Sequence, residues 1–339
     1  MHQLKKYLIS NLSVIFLSIF LPLFAIASVI FLIKLATFTA VIKLTLWEMT
    51  KLYIFVLPEL LFYTLPITFF ISATLALFKL SNDNEIVVIF ALGIHPKLLV
   101  QTLLKPALIL TTLLFFNFLI IFPHAKVLSK NFVSYKKSEA KLNLSASEFG
   151  HKFGDWLLYI GGQNRDGTYS DIFLFNKNQK EEILIGAKKA QVINNDGLLR
   201  LKLSQGEGYS YSAESFSQIN FETMFINDTM KTELTTYRNA YEYWTSSHRA
   251  KQKKGMLITS TLLSLFPLLS LFLIASMGIV HARHQKTRVY LYLFISTILY
   301  YGATLGLQKI LSYYTIPIIV ILWSVTTYII YRKNIVARF

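Results

Sequence analysis

Residues able to do chemistry are few and scattered in this chain of 339 residues. His281 and His284 stand three apart, a spacing that suits two metal ligands, but no carboxylate accompanies them and two ligands do not close a zinc site. Residues 161–167, Gly-Gly-Gln-Asn-Arg-Asp-Gly, lack the Lys-Ser/Thr ending of a phosphate-binding loop. No HExxH, no GxSxG and no pair of carboxylates within an apolar run is present. There is no cysteine, so neither a disulfide framework nor a thiolate metal site is available. Glu59, beside Pro58, is the single acid inside an apolar run. A carboxylate in that setting is expensive and often functional, although so near the end of its run it can also reach the membrane interface.

The stretch KLSNDNEIVVIFALGIHPKLL, residues 79–99, is the most unusual. Asn82 suits a helix N-cap, and Glu85 three residues on can reach back to the Asn82 amide. Gly93 suits the left-handed position after a helix, and Pro96 limits continuation. A helix of about ten residues spans roughly 15 Å, too short to cross a bilayer. Yet Ile86, Val87, Val88, Ile89, Phe90 and Leu92 are too apolar to lie bare in water. Two readings fit: a helix docked in a partner's groove, or one resting on lipid with Glu85 only as its cap.

These features are positioned by a membrane scaffold. The composition is 54% hydrophobic and 15% charged, against about 25% charged in an ordinary soluble domain. Uncharged runs cover Tyr7–Ile33, Leu60–Phe78, Pro106–Ala125, Gly255 up to Arg283, Val289–Gln308 and Ile310–Tyr331. Each supplies the roughly 20 apolar residues of a spanning helix, which predicts six spans. The first is too long, and lacks the small-residue cleavage site, for a removable signal peptide. The net charge of +16 records topology rather than nucleic-acid binding. With a cytoplasmic amino terminus, the inside segments hold Lys5, Lys6, Lys79, Lys97, Lys105, Arg283, Lys286, Arg288, Arg332, Lys333 and Arg338. The short outside loops hold only Lys34, Lys43, Lys51 and Lys309. This bias follows the positive-inside rule and puts both termini in the cytoplasm.

Between spans three and four the chain changes character. All but four of the 18 acidic residues fall in residues 123–254; the exceptions are Glu48, Glu59, Asp83 and Glu85. Short β-prone runs alternate with turns, Asp-Gly at 166–167 and 196–197 reads as hairpin turns, and no helical period persists. The expected architecture is a six-span α-helical membrane bundle with an inserted antiparallel β domain, a sandwich or jelly roll, outside the cytoplasm. The boundaries are 1–122 for spans one to three, with the short helix at 82–93, 123–254 for the β domain, and 255–339 for spans four to six.

On these residues the chain resembles the LptF/LptG family, permease subunits of the bacterial lipopolysaccharide export machine. Residues 84–94, NEIVVIFALGI, are similar to the family's acid, apolar run, small residue and glycine after span two. VLPELLFYTLPITFF, residues 56–70, resembles its proline-bearing second span. The final Arg338-Phe339 resembles the LptF branch. One departure is HRAKQKKG at 248–255, where Lys251 stands in place of a frequent acid; the loop HARHQKTR at 281–288 is also altered.

The resemblance implies that the short helix is a coupling helix on a separate ATPase, with Glu85, Ile86, Ile89, Phe90 and Gly93 as its contact set. It implies that Lys34, Lys43 and Lys309 meet lipid A phosphates, for which lysine is a competent point charge; anchoring of span ends is the plainer role for the same lysines. It implies a β domain that passes acyl chains along a shared interior, with Phe173, Phe175, Tyr209, Phe216, Phe221 and Phe225 as candidates beside an ordinary core role. The implied partners are an LptB-like ATPase dimer, a second permease subunit (paralogue or copy), LptC- and LptA-like bridge proteins, lipopolysaccharide and the bacterial inner membrane. No nucleic acid, metal or cofactor of its own is implied, ATP being bound by the partner. The expected function is therefore a non-catalytic permease. The alternatives are a membrane enzyme modifying envelope lipids or glycans, and a mechanotransmission permease that moves no substrate.

Overall fold

The computed structural model describes residues 2–39, 44–142, 149–153, 156–164, 168–177, 181–195, 198–212, 215–227, 239–247, 249–280 and 288–337. They divide into two compact units, one of Met1–Leu35, Thr50–Lys126 and Tyr237–Phe339, the other of Ala36–Met49 and Val127–Thr236.

The first unit is helical. Its helices are α1 (His2–Thr39) as far as Leu35, α2 (Leu46–Asn82) from Thr50, α3 (Glu85–Ala91), α4 (Lys97–Phe116), a π-helical turn (Asn117–Ile121) leading into α5 (Phe122–Leu142), which passes into the second unit at Val127, then α6 (Ala240–Thr245), α7 (Ala250–Leu269), α8 (Leu271–Gly278), α9 (Val289–Leu311) and α10 (Thr315–Tyr331). By length and apolarity four helices can cross a membrane, or five when α7 and α8, bent by 45° at their break, count as one. The count takes Val289–Val336 as one stretch of 48 residues. Within it, the Tyr300 and Trp323 rings lie 4.9 Å apart, whereas 23 residues of straight helix would separate them by roughly 35 Å. The chain therefore turns back, at Ser312, whose φ of 52° and ψ of −126° break the helix.

An aromatic column holds the unit together. Phe70 of α2 meets Phe266 of α7 at 5.1 Å, Phe266 meets Tyr300 of α9 at 4.5 Å, and Tyr300 meets Trp323 of α10. Several buried hydroxyls in these helices find a carbonyl nearby, the arrangement that lipid favours for a polar group, whereas those of Thr111, Ser264, Tyr301 and Thr315 have no hydrogen-bond partner among the described residues. Thr68 and Thr74 each donate to the carbonyl four residues back at 2.8 Å, and the Tyr300 hydroxyl donates to Leu262 O at 2.6 Å. Pro267 ends the regular ladder of α7. Beyond it, Trp323 Nε1 donates to Ser270 Oγ at 3.3 Å, closing the bend.

The second unit holds one six-stranded antiparallel sheet in chain order, β1 (Phe149–Phe153), β2 (Trp156–Gln163), β3 (Tyr169–Lys177), β4 (Glu181–Asn195), β5 (Leu198–Ser212) and β6 (Phe216–Asn227). The inserted antiparallel β domain is therefore present, and among the described residues connections of a few residues pair each strand with its sequence neighbour. β4 and β5 pair out to Asn195 and Leu198; the Asp-Gly turns themselves lie outside the described residues. One face buries Leu158, Ile160, Ile172, Leu174, Leu201 and Leu203. A correction concerns residues 123–142, which are helical although no period was evident. Its lysines and alanines are good helix formers, and its charge masked that propensity.

Gly278 is where α8 crosses α2 most closely: a Cβ there would lie 2.6 Å from Leu77 Cβ and 2.9 Å from Thr74 O. Replacing Gly278 by Ala forces the helices apart, an overpacking strain of about 1–3 kcal/mol. The expected result is a lower unfolding temperature in detergent. Gly302→Ala, with nothing within 4 Å of its Cβ position, leaves that temperature unchanged or raises it.

Candidate functional site

The short apolar helix is real and is shorter than expected. α2 runs through Asn82, and the turn passes through Asn84 in the left-handed conformation (φ 59°) before α3 covers Glu85–Ala91. Asn82 is thus the last residue of α2, not a cap. Asn84 caps α3 with no side-chain hydrogen bond, and the reciprocal Asn82–Glu85 pair does not form. The physical reason is continuity: α2 uses the Asn82 backbone for its own ladder.

The far end is as the sequence indicates. Gly93 has a φ of 79°, its N–H donates to Phe90 O at 2.9 Å, and the Ile94 N–H donates to Ile89 O at 3.3 Å. These two bonds are a Schellman closure. It is followed by Pro96 and the start of α4 at Lys97.

Apolar side chains surround α3, and the structure sorts them. Ile86 and Ile89 are 1% and 6% exposed, with Ile86 in the core cluster of the helical unit and Phe90 half-buried against it. Val87, Val88 and Leu92 are 39%, 58% and 73% exposed. The expected contact set is therefore split. Ile86 and Ile89 already fill their own protein's core and have no surface left for a partner, and the bare stripe is Val87, Val88 and Leu92. Sequence missed this because a helix apolar on all sides carries no periodicity to orient it. Glu85 turns to α1, where the Tyr7 hydroxyl donates to Oε1 at 2.9 Å and to Oε2 at 2.8 Å. Just before the turn, Ser81 Oγ donates to Gly278 O at 2.8 Å and accepts from Val280 N at 3.2 Å, tying the base of α3 to α8.

The candidate phosphate contacts lie at helix ends. Lys34 is exposed near the end of α1, where Ser28 and Tyr53 share a hydrogen bond of 2.9 Å between α1 and α2. Lys43 falls outside the described residues. Lys309 is exposed in the last turn of α9. A further basic group, not among the expected phosphate contacts, starts α7. Its first turn has no acid and carries Lys251, Lys253 and Lys254 after Arg249. Lys254 Nζ lies 4.1 Å from the centroid of the Tyr313 ring. Thr259 hydrogen-bonds Gln308, so the start of α7 and the end of α9 occupy one end of the unit. Lys253 is buried, donates to Ser246 and lies 4.6 Å over the Tyr243 ring. No carboxylate lies within ion-pair distance of Arg249, Lys251, Lys254 or Lys309 among the described residues. The legible signal was HRAKQKK itself, four cations in six residues from Arg249.

Glu59 is accounted for structurally: Lys126 Nζ lies 3.1 Å from its Oε2, both side chains partly in solvent. The adjoining π-helical turn frees Leu119 O to accept from Trp244 Nε1 at 3.2 Å, and Asn117 Nδ2 donates to Pro58 O at 2.9 Å. In the sheet, Phe173, Phe216 and Phe225 are exposed and do not line its apolar face; Phe221 packs against that face. Strand alternation puts Phe173 opposite its buried neighbours Ile172 and Leu174. His281, His284, Arg338 and Phe339 lie outside the described residues, and no group of three metal-ligating side chains occurs among those described.

A family model described as "Lipopolysaccharide export system permease LptF/LptG" matches residues 6–330. Comparison with curated proteins finds no match.

The closure after α3 depends on the left-handed backbone at residue 93, where a side chain is strained by about 1–2 kcal/mol. Gly93→Ala should speed amide exchange at Gly93 and Ile94 several-fold, with Gly93→Asn between the two.

Proposed function

The chain belongs to the LptF/LptG family of lipopolysaccharide export permeases, and from that premise we propose that α3 is the handle through which its ATPase moves the helical unit. The protein is a membrane subunit of an ABC transporter; ATP hydrolysis is done by LptB, and the family works without a cofactor.

Six spans are proposed: α1, α2, α4 with its continuation, the bent α7–α8 pair, α9 and α10. The reversal at Ser312 supports counting α9 and α10 separately. The lysine and arginine bias then puts both termini and α3 on the cytoplasmic side of the inner membrane, with residues 123–254 in the periplasm. The bridge proteins of the export path add to an edge of the sheet, β1 or β6, where backbone groups lack a neighbouring strand. α1, whose most apolar stretch buries none of its residues, and α9, with Leu291, Phe294 and Ile298 exposed, offer surface to a second permease subunit.

The observation that carries the reading is the bare stripe of Val87, Val88 and the C-cap Leu92 along a seven-residue helix whose opposite side is locked into the core. A groove on the ATPase covers the stripe, while Ile86, Ile89, Phe90 and Gly93 hold the helix in shape behind it. Glu85 sets its angle. At the other end of the helical unit, Lys34 and Lys309, with Arg249, Lys251 and Lys254, meet the lipid phosphates; Lys43 is proposed for the same role from its place in the sequence alone. ATP turnover then shifts the spans between two arrangements with different contacts to the lipid.

Purification of the complex in mild detergent tests the handle. Val88→Glu with Leu92→Glu should lower ATPase co-purification at least tenfold, since burying two apolar side chains contributes about 1.5–3 kcal/mol each, without changing the unfolding temperature. Full retention of the ATPase would overturn the reading. For the phosphate end, a photoreactive residue at position 34 or 309 should label lipopolysaccharide above exposed controls on other helices, at Ile109 and Ile321.

A further inference from the structure

We propose that the Tyr7 hydroxyl is a positioning group that carries movement of α3 directly into α1; this rests on α3 being the ATPase handle. Glu85 opens α3 and Tyr7 lies in the second turn of α1, 78 residues away in sequence. The phenol donates to both carboxylate oxygens, at 2.9 and 2.8 Å. No lysine or arginine lies within ion-pair distance of Glu85 among the described residues. The link is therefore a charge-assisted hydrogen bond rather than an exchangeable surface ion pair.

The rest of α1 is held lightly by its own chain. Leu8 and Leu12, on the turns after Tyr7, enter the core cluster, and Ser28 and Phe31 meet Tyr53 further along. The most apolar stretch buries none of its residues. A helix anchored at its foot and loose along its length follows its foot. α3, by contrast, has two rigid anchors in Ile86 and Ile89. A tilt of α3 therefore moves Glu85, and Glu85 moves α1 through one rigid aromatic lever. Ser81, clamped to Gly278 and Val280, makes the parallel connection to α8, so the two sides of the unit receive the stroke by separate routes.

Tyr7→Phe removes the donor and keeps the ring. The test measures lipopolysaccharide exported per ATP hydrolysed by the purified complex in vesicles. The expected result is wild-type ATPase recovery and hydrolysis, with export per ATP reduced about two- to tenfold, the size of one partly exposed hydrogen bond to a charge. In the cycle with Glu85→Ala, the double variant should lose no more than the Glu85 single variant. An unchanged ratio, or losses that multiply in the double variant, would overturn the proposal. Loss of the ATPase from Tyr7→Phe would overturn it too, making the hydroxyl a docking group. Failure of the unaltered chain to recover any ATPase would instead sink the reading of α3 as a handle.

Discussion

Seven residues cannot hold a helix in water by themselves, because nucleation uses up most of what so few hydrogen bonds return. α3 exists because Ile86 and Ile89 are sunk into the core of the helical unit and because Gly93 closes its carbonyl end. That constraint sets the functional geometry. The side chains that make the helix are committed inward, so whatever binds it must use the remaining side, Val87, Val88 and Leu92. A partner gripping that side grips something already rigid with respect to the bundle. Force applied there is not dissipated in folding and unfolding the handle.

Rigidity at the handle matters only if the bundle behind it passes the movement on. The aromatic column from Phe70 through Phe266 and Tyr300 to Trp323 makes α2, α7, α9 and α10 one body, since close-packed rings transmit displacement rather than absorb it. The bend between α7 and α8, with Pro267 and Ser270 at its centre, is the place in that body where the ladder is already broken. α1 is bound at its foot by Leu8 and Leu12 and touches α2 again through Ser28 and Phe31, while its most apolar stretch buries none of its residues. A subunit with one tight body and one loose helix has a natural seam, and a lipid enters most easily where helices separate without breaking a core.

What the sequence made legible follows from what leaves a local trace. The apolar runs, the change of character over residues 123–254, the glycine closure at Gly93 and the isolation of Glu85 are all written in neighbouring residues. Orientation is not. Ile86 and Val87 have nearly the same chemistry, and only the tertiary position of α3 decides that one is buried and the other bare. The Asn82 cap failed because α2 extends through it, a competition between two helices that no cap pattern contains. Strand order depends on which strands meet in space, while the alternation that revealed strands is the same for every antiparallel arrangement. Tyr7 and Glu85, like Glu59 and Lys126, meet only once the chain has folded back.

The basic start of α7 sharpens the electrostatics at the other end. Cations in the first turn of a helix oppose the positive end of its dipole, at about 0.3–1 kcal/mol each when exposed, and α7 has no acid there to offset them. Lys254 recovers part of this over the Tyr313 ring. On the proposed lipid-binding role, a phosphate among Arg249, Lys251 and Lys309, which have no carboxylate within ion-pair distance among the described residues, would relieve the remainder. On that reading, an end strained when empty and relaxed when occupied would bind its lipid in one state and repel its own charges in the other. That difference between states is what a transporter needs in order to let go. A site lined with compensating acids would hold the same phosphate with less contrast, so the absence of acid in the first turn of α7 is an asset to release as well as to capture.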